Sequence, residues 1–268
     1  MVELSELSYY RYCRITVCYL IGRRSGHRNM VELSPSVELT RIRDLVKVFS
    51  KTGQPTVRAV NDCSGPSLAC LLGLRCTLEV CATELSLTIY EGQITALLGH
   101  NGAGKSTLIH MLTGVMPLTE GKAWLYGHSP TSNLSALRNL MGVCLQDDVF
   151  HPNLNAVQHL QIFAGIKNII LSPEQTEPFL QDLGLYEVKD LPAEKLSGGQ
   201  KRKLCVGMAL VGDPKVVILD EPTSGVDVAS RHQIWDLLRR KKEGRVIMIT
   251  THSMEEADIL AGESLTLP

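Results

Sequence analysis

A glycine-rich stretch, GHNGAGKST at residues 99–107, carries the most distinctive chemistry in this sequence. It matches the phosphate-binding pattern G-x-x-x-x-G-K-[ST] at every fixed position, and it lies between an apolar run and a helical pattern. Gly99, Gly102 and Gly104 let backbone N–H groups approach a phosphate closely, because they lack a Cβ atom and permit positive φ. A glycine-rich turn without a ligand is the alternative. We therefore predict a triphosphate-binding loop.

The helix that begins near Lys105 should add its N-terminal dipole and unpaired N–H groups to this loop. Lys105 supplies a positive charge for the β- and γ-phosphates, and the Ser106 hydroxyl is the expected Mg²⁺ ligand. The predicted nucleotide-binding residues of the stretch are Gly99, Asn101, Gly102, Ala103, Gly104, Lys105, Ser106 and Thr107.

Two carboxylates end an apolar run at 216–219. Asp220 would lie at the end of a buried strand, where it could hold Mg²⁺ through water. Glu221 is the candidate general base for an attacking water. A strand that ends in a solvated acidic turn is the alternative for this pair.

Three further sites could meet a phosphate. Residues 196–200 read LSGGQ and precede a helix, so Ser197, Gly198, Gly199 and Gln200 form a second anion-binding helix end. One chain cannot easily place both ends on the same nucleotide. His252 follows a strand and could hydrogen-bond a γ-phosphate, and Gln146 also follows a strand. An ordinary surface histidine and an exposed amide are the alternatives for the last two.

The pattern between these motifs alternates strands with helices. We predict strands at 93–98, 122–126, 141–145, 216–219 and 245–250. We predict helices at 134–140, 155–166, 173–183, 198–210 and 228–242, in addition to the one that follows the phosphate-binding loop. Continuous apolar strands between helices indicate a parallel α/β sheet. Three consecutive helices predict an inserted helical subdomain at about 147–212.

The chain before the phosphate-binding loop has a different pattern. Residues 38–49 and 57–60 indicate an antiparallel hairpin, and alternation from residue 85 to 89 indicates a further strand. Residues 63–84 have no clear period, so we interpret them as an insertion of about 22 residues. Residues 1–37 are left as an unassigned N-terminal segment.

Composition narrows the class of protein. At 268 residues the chain is long enough for a substantial core, and 44% hydrophobic with 21% charged residues is typical of globular proteins. A net charge of −1 gives no reason to expect a nucleic-acid partner. The apolar runs are too short to span a bilayer. The eight cysteines are interpreted as reduced thiols.

Together these motifs resemble the nucleotide-binding domain of ABC transporters, which is a P-loop NTPase. The sequence that flanks the motifs is most similar to that of the A subfamily. The order is that of the family: Walker A at 99–107, the Q-loop at Gln146, the LSGGQ signature, Walker B with catalytic Glu221, the D-loop at 224–227 and the H-loop at His252. The resemblance adds Gln146 as a third Mg²⁺ ligand and makes Lys105 and His252 catalytic. It also assigns adenine stacking to Phe49, which could equally be a core residue.

The resemblance implies an α/β fold with a mostly parallel central sheet, an antiparallel β subdomain and an inserted helical subdomain. It implies ATP and Mg²⁺, a second nucleotide-binding domain and transmembrane domains as partners, and a place at the cytoplasmic face of a membrane. We take 38–268 as this domain, with its C-terminal end truncated. A soluble ABC ATPase without a transport role and a non-hydrolysing regulatory half are the alternatives.

Overall fold

The computed structural model describes residues 16–19, 38–49, 57–60, 85–99 and 104–261. Their strands are β1 (Thr16–Tyr19), β2 (Glu38–Phe49), β3 (Val57–Val60), β4 (Leu85–Tyr90), β5 (Ile94–Leu98), β6 (Glu120–Leu125), β7 (Met141–Cys144), β8 (Val216–Asp220) and β9 (Val246–Thr251). Their α-helices are α1 (Lys105–Leu112), α2 (Leu134–Leu140), α3 (Ala156–Ile166), α4 (Pro173–Asp182), α5 (Gly198–Leu210), α6 (Val228–Lys241) and α7 (Met254–Ala261). Two single-turn 3₁₀ helices lie at Tyr186–Val188 and Ala193–Lys195.

The central sheet has the strand order β1-β5-β9-β8-β7. Strands β5, β9, β8 and β7 run parallel to their neighbours, and every residue of β8 and β9 is buried. Such strands need cover on both faces, which explains why they read as continuous apolar runs in the sequence. The predicted parallel α/β sheet is confirmed.

The antiparallel sheet is built on the long strand β2. Strands β4 and β6 pair antiparallel with opposite edges of β2, and β3 pairs antiparallel with its last three residues. The hairpin of β2 with β3 and the strand from residue 85 were both predicted, so the antiparallel subdomain is confirmed.

The central sheet separates two hydrophobic cores. Successive residues of β8 point to opposite faces, so Val216 and Ile218 join one core while Val217 and Leu219 join the other. The first core contains α1 and the antiparallel strands, and the second contains the helical subdomain, α6 and α7. Both faces of the strands that carry the site are therefore held by packing.

Helices α3, α4 and α5 lie between β7 and β8 and form the predicted helical subdomain. Asn155 caps α3 and forms a capping box with Gln158, and Ser172 caps α4 with Pro173 as the first helical residue. Helix α5 is buried on most sides, which places the LSGGQ end on a rigid element.

Two elements were not predicted. Strand β1 extends the edge of the central sheet by pairing antiparallel with β5, within a segment that the sequence left unassigned. Helix α7 follows directly after the H-loop and buries Ala257 and Leu260. The predicted insertion at 63–84 lies outside the described residues and stays a prediction.

Gly142 in β7 permits a close approach of helix α5, and Gly142→Ala tests this. An added Cβ would lie 1.8 Å from the backbone oxygen of Ala209, which is far inside van der Waals contact. Because that oxygen belongs to a buried helix, we expect a loss of about 1–3 kcal/mol in the free energy of unfolding, measured by urea denaturation.

Gly165→Ala is the matched control for this prediction. A Cβ at Gly165 meets nothing within 4 Å, and the residue lies in helix α3. This variant should keep its stability or gain up to ~1 kcal/mol, because alanine favours helix more than glycine does. Equal urea midpoints for the two variants would contradict this prediction, because they would mean that α5 can move away from β7 at no cost in stability.

Candidate functional site

The phosphate-binding loop leaves the end of β5 and enters α1. The N–H of Gly99 donates to the carbonyl oxygen of Thr251 at 3.3 Å, which fixes the start of the loop to the end of β9. Gly104 caps α1 with φ at +90°, a conformation that favours glycine, and it has no side chain to accept the first N–H groups of the helix. The N-terminus of α1 is therefore suited to bind an anion.

Lys105 bends back over this loop. Its Nζ donates to the carbonyl oxygen of Gly99 at 2.6 Å and lies 3.7 Å from Oε1 of Glu221. The side chain is buried, so its positive charge is held between the loop and the end of β8. A charge in this position can interact with a phosphate bound on the loop.

Some predicted residues cannot be placed. Asn101, Gly102 and Ala103 lie outside the described residues, as does the side chain of Phe49, whose backbone ends β2. Their binding roles stay predictions. Gly99 directly follows β5, and Gly104, Ser106 and Thr107 lie at the start of α1.

Thr250 on β9 bonds to the carboxylate of Asp220 and to the backbone N–H of Glu221. Its hydroxyl donates to Oδ1 of Asp220 and accepts from the N–H of Glu221 at 3.0 Å. The carbonyl oxygen of Thr250 also accepts from that N–H, at 3.1 Å. The sequence analysis did not select this residue. The available signal was a threonine at the end of an otherwise apolar strand.

Glu221 is the point at which the predicted residues converge. Its Oε1 lies 3.3 Å from Nδ1 of His252, and its Oε2 accepts from Nε2 of Gln146 at 3.5 Å. Together with Lys105, these side chains come from three distant parts of the sequence and surround the carboxylate of one residue that is 7% exposed. The sequence predicted each of them separately, and the fold brings them together.

The backbone of Glu221 adopts φ of +46°, in the left-handed region. This conformation costs a non-glycine residue roughly 1–2 kcal/mol and persists only where surrounding contacts hold it. The tight turn after β8 carries the carboxylate towards Lys105 and His252. His252 has a side chain that is 54% exposed, so the site is open on the side of the H-loop.

The residues of the LSGGQ end form hydrogen bonds with one another. Oγ of Ser197 accepts from the N–H of Gln200 at 3.3 Å, and Oε1 of Gln200 accepts from the N–H of Ser197 at 2.9 Å. An added Cβ at Gly199 would lie 2.4 Å from Oγ of Ser230, so glycine lets α5 approach the start of α6. A Cβ at Gly198 would meet nothing within 4 Å.

Asp227 is the last residue of the D-loop and the N-cap of α6. Its carboxylate accepts from the N–H of Ser230 at 2.9 Å, and this backbone hydrogen bond lowers the pKa of Asp227 below its usual value. The carboxylate therefore stays ionised near neutral pH. Its position beside Gly199 joins the D-loop to the LSGGQ end.

Arg202, on α5, was missed by the sequence analysis. It is 3% exposed, and its guanidinium donates to the carbonyl oxygens of Leu145, Gln146, Asp220, Glu221 and Pro222. Arg202 lies between two lysines in the run Lys201-Arg202-Lys203. The available signal was its place in a helix whose other residues are mostly apolar, because a buried cation must have partners.

Glu256 on α7 is a second buried charge that the sequence analysis missed. Its Oε1 accepts from the Thr223 hydroxyl at 2.7 Å and from Nε1 of Trp235 at 3.0 Å. These bonds tie the helix that follows His252 to the segment after Glu221 and to α6. The H-loop and the Walker B end are thereby held in one hydrogen-bonded unit.

Cys144 and Cys205 lie beside the site as free, buried thiols. Burial raises the pKa of Cys144 to about 11 and that of Cys205 to about 12. Both stay protonated at neutral pH and are poor nucleophiles. For these two residues this agrees with the interpretation of the cysteines as reduced thiols.

Within the described part of the chain, every helix is too short or too polar to cross a bilayer.

Comparison with known proteins identifies the family. The family model described as ABC transporter matches residues 82–224. Mouse phospholipid-transporting ATPase ABCA3 is 47% identical over 179 residues, which cover 66% of this chain and 10% of that protein. Mouse cholesterol transporter ABCA5 is 49% identical over 182 residues, which cover 66% and 11%. The chain thus spans about a tenth of the length of these relatives.

Solved structures share the fold. An ATP-binding subunit of an ABC transporter superposes with a TM-score of 0.65 at 22% identity, covering 83% of this chain and 82% of that one. A dimeric bacterial ABC transporter cassette gives 0.65 at 20% identity, covering 82% and 91%. The predicted fold class and the predicted family are both confirmed. The chain belongs to the ABC transporter family and carries its ATP-binding ATPase domain, most similar to the A subfamily.

Proposed function

We propose that this chain hydrolyses ATP between two copies of such a domain and thereby powers transport across a membrane. The observation that carries the proposal is the convergence of Lys105, Gln146 and His252 on Glu221, while Ser197 and Gln200 bond to each other. Each ATP would be held by the phosphate-binding loop, Glu221 and His252 of one domain and by the LSGGQ end of the other.

Glu221 is the proposed general base. Thr250 holds the backbone N–H of this buried residue, and polar side chains surround its carboxylate, so the carboxylate can accept a proton from a water aligned with the γ-phosphate. Lys105 is placed to stabilise charge on the β- and γ-phosphates. His252 is placed to hydrogen-bond the γ-phosphate from the open side of the site.

The residues present fit Mg²⁺. The hydroxyl of Ser106, the carboxylate of Asp220 and the side-chain oxygen of Gln146 are oxygen donors, which this ion prefers. The described residues contain no cluster of three His, Cys, Asp or Glu that could hold a metal. Such a cluster is not needed, because Mg²⁺ in nucleotide sites takes most ligands from phosphate and water. When bound, the ion neutralises charge on the phosphates.

Phe49 is proposed to stack on adenine.

The proposed partners follow from the family. Transmembrane domains would receive the movement of the paired ATPase domains at the cytoplasmic face of a membrane. Two similar proteins are a phospholipid-transporting ATPase and a cholesterol transporter, so lipid is the substrate class that we propose.

A mixing experiment tests the shared site. Lys105→Ala disables the phosphate-binding loop, and Gly198→Asp places a negative charge at the LSGGQ end without a clash in its own chain. Each variant alone should release no phosphate. Their mixture should recover activity, because a mixed pair has one site with an intact loop and an intact LSGGQ end.

The control for Gly198→Asp is Gly198→Ala, which adds the Cβ without the charge and should remain active. Phosphate release is measured at several chain concentrations, since pairing depends on concentration. Full activity of Gly198→Asp alone, or no recovery in the mixture at any concentration, would contradict the shared site.

A further inference from the structure

We propose that Arg202 is a positioning residue that makes the LSGGQ helix and the hydrolytic groups move together. The inference rests on the proposed function and deepens it, since it names the connection between the two ends that a pair of ATP sites would use. Arg202 itself need not touch ATP. It would act through the backbone segments that carry Gln146 and Glu221.

The first set of contacts fixes the Walker B end. Nη2 of Arg202 donates to the carbonyl oxygens of Asp220 at 2.7 Å and Glu221 at 2.9 Å, and Nε donates to that of Pro222 at 3.0 Å. Three consecutive carbonyl oxygens can converge on one guanidinium only because the chain turns sharply. The left-handed backbone of Glu221 makes this turn. Arg202 therefore holds the strained conformation that aims the carboxylate.

The second set of contacts fixes the Q-loop. Nη1 donates to the carbonyl oxygens of Leu145 at 2.9 Å and Gln146 at 3.1 Å, and it lies 3.3 Å from Oδ1 of Asp148. The same guanidinium thus bonds to the backbone of both residues whose side chains meet, Gln146 and Glu221. Loss of the guanidinium would leave these two segments free to shift relative to each other.

Arginine suits this position better than lysine. A guanidinium presents five N–H donors in a fixed plane, so it can bond to two segments at once, whereas an ammonium is a compact point charge. Arg202 lies in the second turn of α5, and Ser197 caps the same helix. A helix transmits a displacement of its first turn to its second, so a phosphate bound at the LSGGQ end would move the guanidinium.

Lys203 provides a matched control. It is the next residue of α5 and is also buried, at 6% exposed. Its Nζ donates to the carbonyl oxygen of Gly184 and to Oε1 of Gln233, which lie outside the two segments that Arg202 bonds to. Removing either cation leaves buried oxygens without donors, so both changes should lower stability. Only the change at Arg202 should misplace Glu221.

The test compares Arg202→Met, Arg202→Lys and Lys203→Met in the 268-residue chain. Arg202→Met and Arg202→Lys should each lower kcat about 100-fold, since small misplacements of reacting groups cost that much. KM for ATP should change little, because the hydrogen bonds of Arg202 to described residues go to 145–148 and 220–222. Lys203→Met should keep kcat while its unfolding temperature falls. Full rescue by Arg202→Lys, or an equal loss of kcat in Lys203→Met, would overturn the inference.

Hydrogen exchange gives a readout that does not require turnover. On addition of ATP the parent chain should gain protection both at 145–148 and in α5, whereas Arg202→Met should lose this joint response and Lys203→Met should keep it. A parent chain that binds ATP but releases no phosphate would contradict the proposed function. The exchange data would then still decide on Arg202, because a joint response that survives in Arg202→Met overturns the inference.

Discussion

Glu221→Gln should bind ATP as the parent chain does and lose hydrolysis. Glutamine has nearly the same shape as glutamate, but it cannot accept a proton from water. A general base contributes roughly 10²–10⁴ in rate, so phosphate release should fall by that factor. The measurement is phosphate release at saturating ATP and Mg²⁺, beside a calorimetric titration of ATP.

The geometry around Glu221 explains why the substitution should fold. The amide oxygen can take the place of Oε1, near Lys105 and His252, and the amide nitrogen can take the place of Oε2. Gln146 now donates to that position, and it can present its own oxygen after a rotation of its amide group.

Glu177→Gln is the control for the chemistry of the change. Glu177 is half exposed and pairs with Lys189 on the surface at 3.1 Å, far along the chain from the site. This variant should keep the parent rate, since exposed ion pairs contribute little. Undiminished phosphate release by Glu221→Gln would remove Glu221 from the base role.

The same variant tests pairing of two domains. ATP that binds only the associated state stabilises it by mass action, and a variant that does not hydrolyse ATP keeps that ligand. Size-exclusion chromatography should show more dimer for Glu221→Gln than for the parent when ATP and Mg²⁺ are present. Lost hydrolysis without any dimer would count against the shared site and leave the LSGGQ end without its proposed role.

The sequence predicted those parts of the fold that depend on local patterns. The apolar runs of β8 and β9 and the helical patterns of α3 and α4 were visible because these patterns depend on neighbouring residues. Strand β1 was not, because four residues within a segment of no clear period carry too little pattern. Its place depends on pairing with β5, which is distant in the sequence.

The site divides in the same way. Lys105, Asp220 and Glu221 lie in motifs whose residue types follow from phosphate and metal chemistry. Arg202 and Glu256 do not, because their partners are backbone carbonyl oxygens or single side chains that only the folded chain brings near. The sequence shows that a charged side chain is present, but it does not show which groups that side chain will hydrogen-bond to in the folded chain. Buried charges in predicted helices are therefore the residues to inspect first in a related chain.

Lys105→Ala should abolish ATP binding at concentrations where the parent is saturated. The Nζ group now bonds to the carbonyl oxygen of Gly99 and faces Glu221, so it lies where the bound phosphates would accept hydrogen bonds. Two charge-assisted hydrogen bonds to phosphate contribute about 3–6 kcal/mol together, which corresponds to roughly 10²–10⁴ in affinity. The measurement is a calorimetric titration of ATP with Mg²⁺.

Lys167→Ala separates this effect from a general loss of stability. Lys167 is also partly buried, burial lowers its pKa, and its Nζ donates to the carbonyl oxygen of Val211 at 2.8 Å, away from the phosphate-binding loop. It should lose stability in urea and keep its affinity for ATP. Lys105→Ala should lose affinity even where circular dichroism shows a folded chain, because the remaining binding depends on backbone dipoles alone. Equal ATP affinity for Lys105→Ala and the parent would refute the assignment of the triphosphate to this loop.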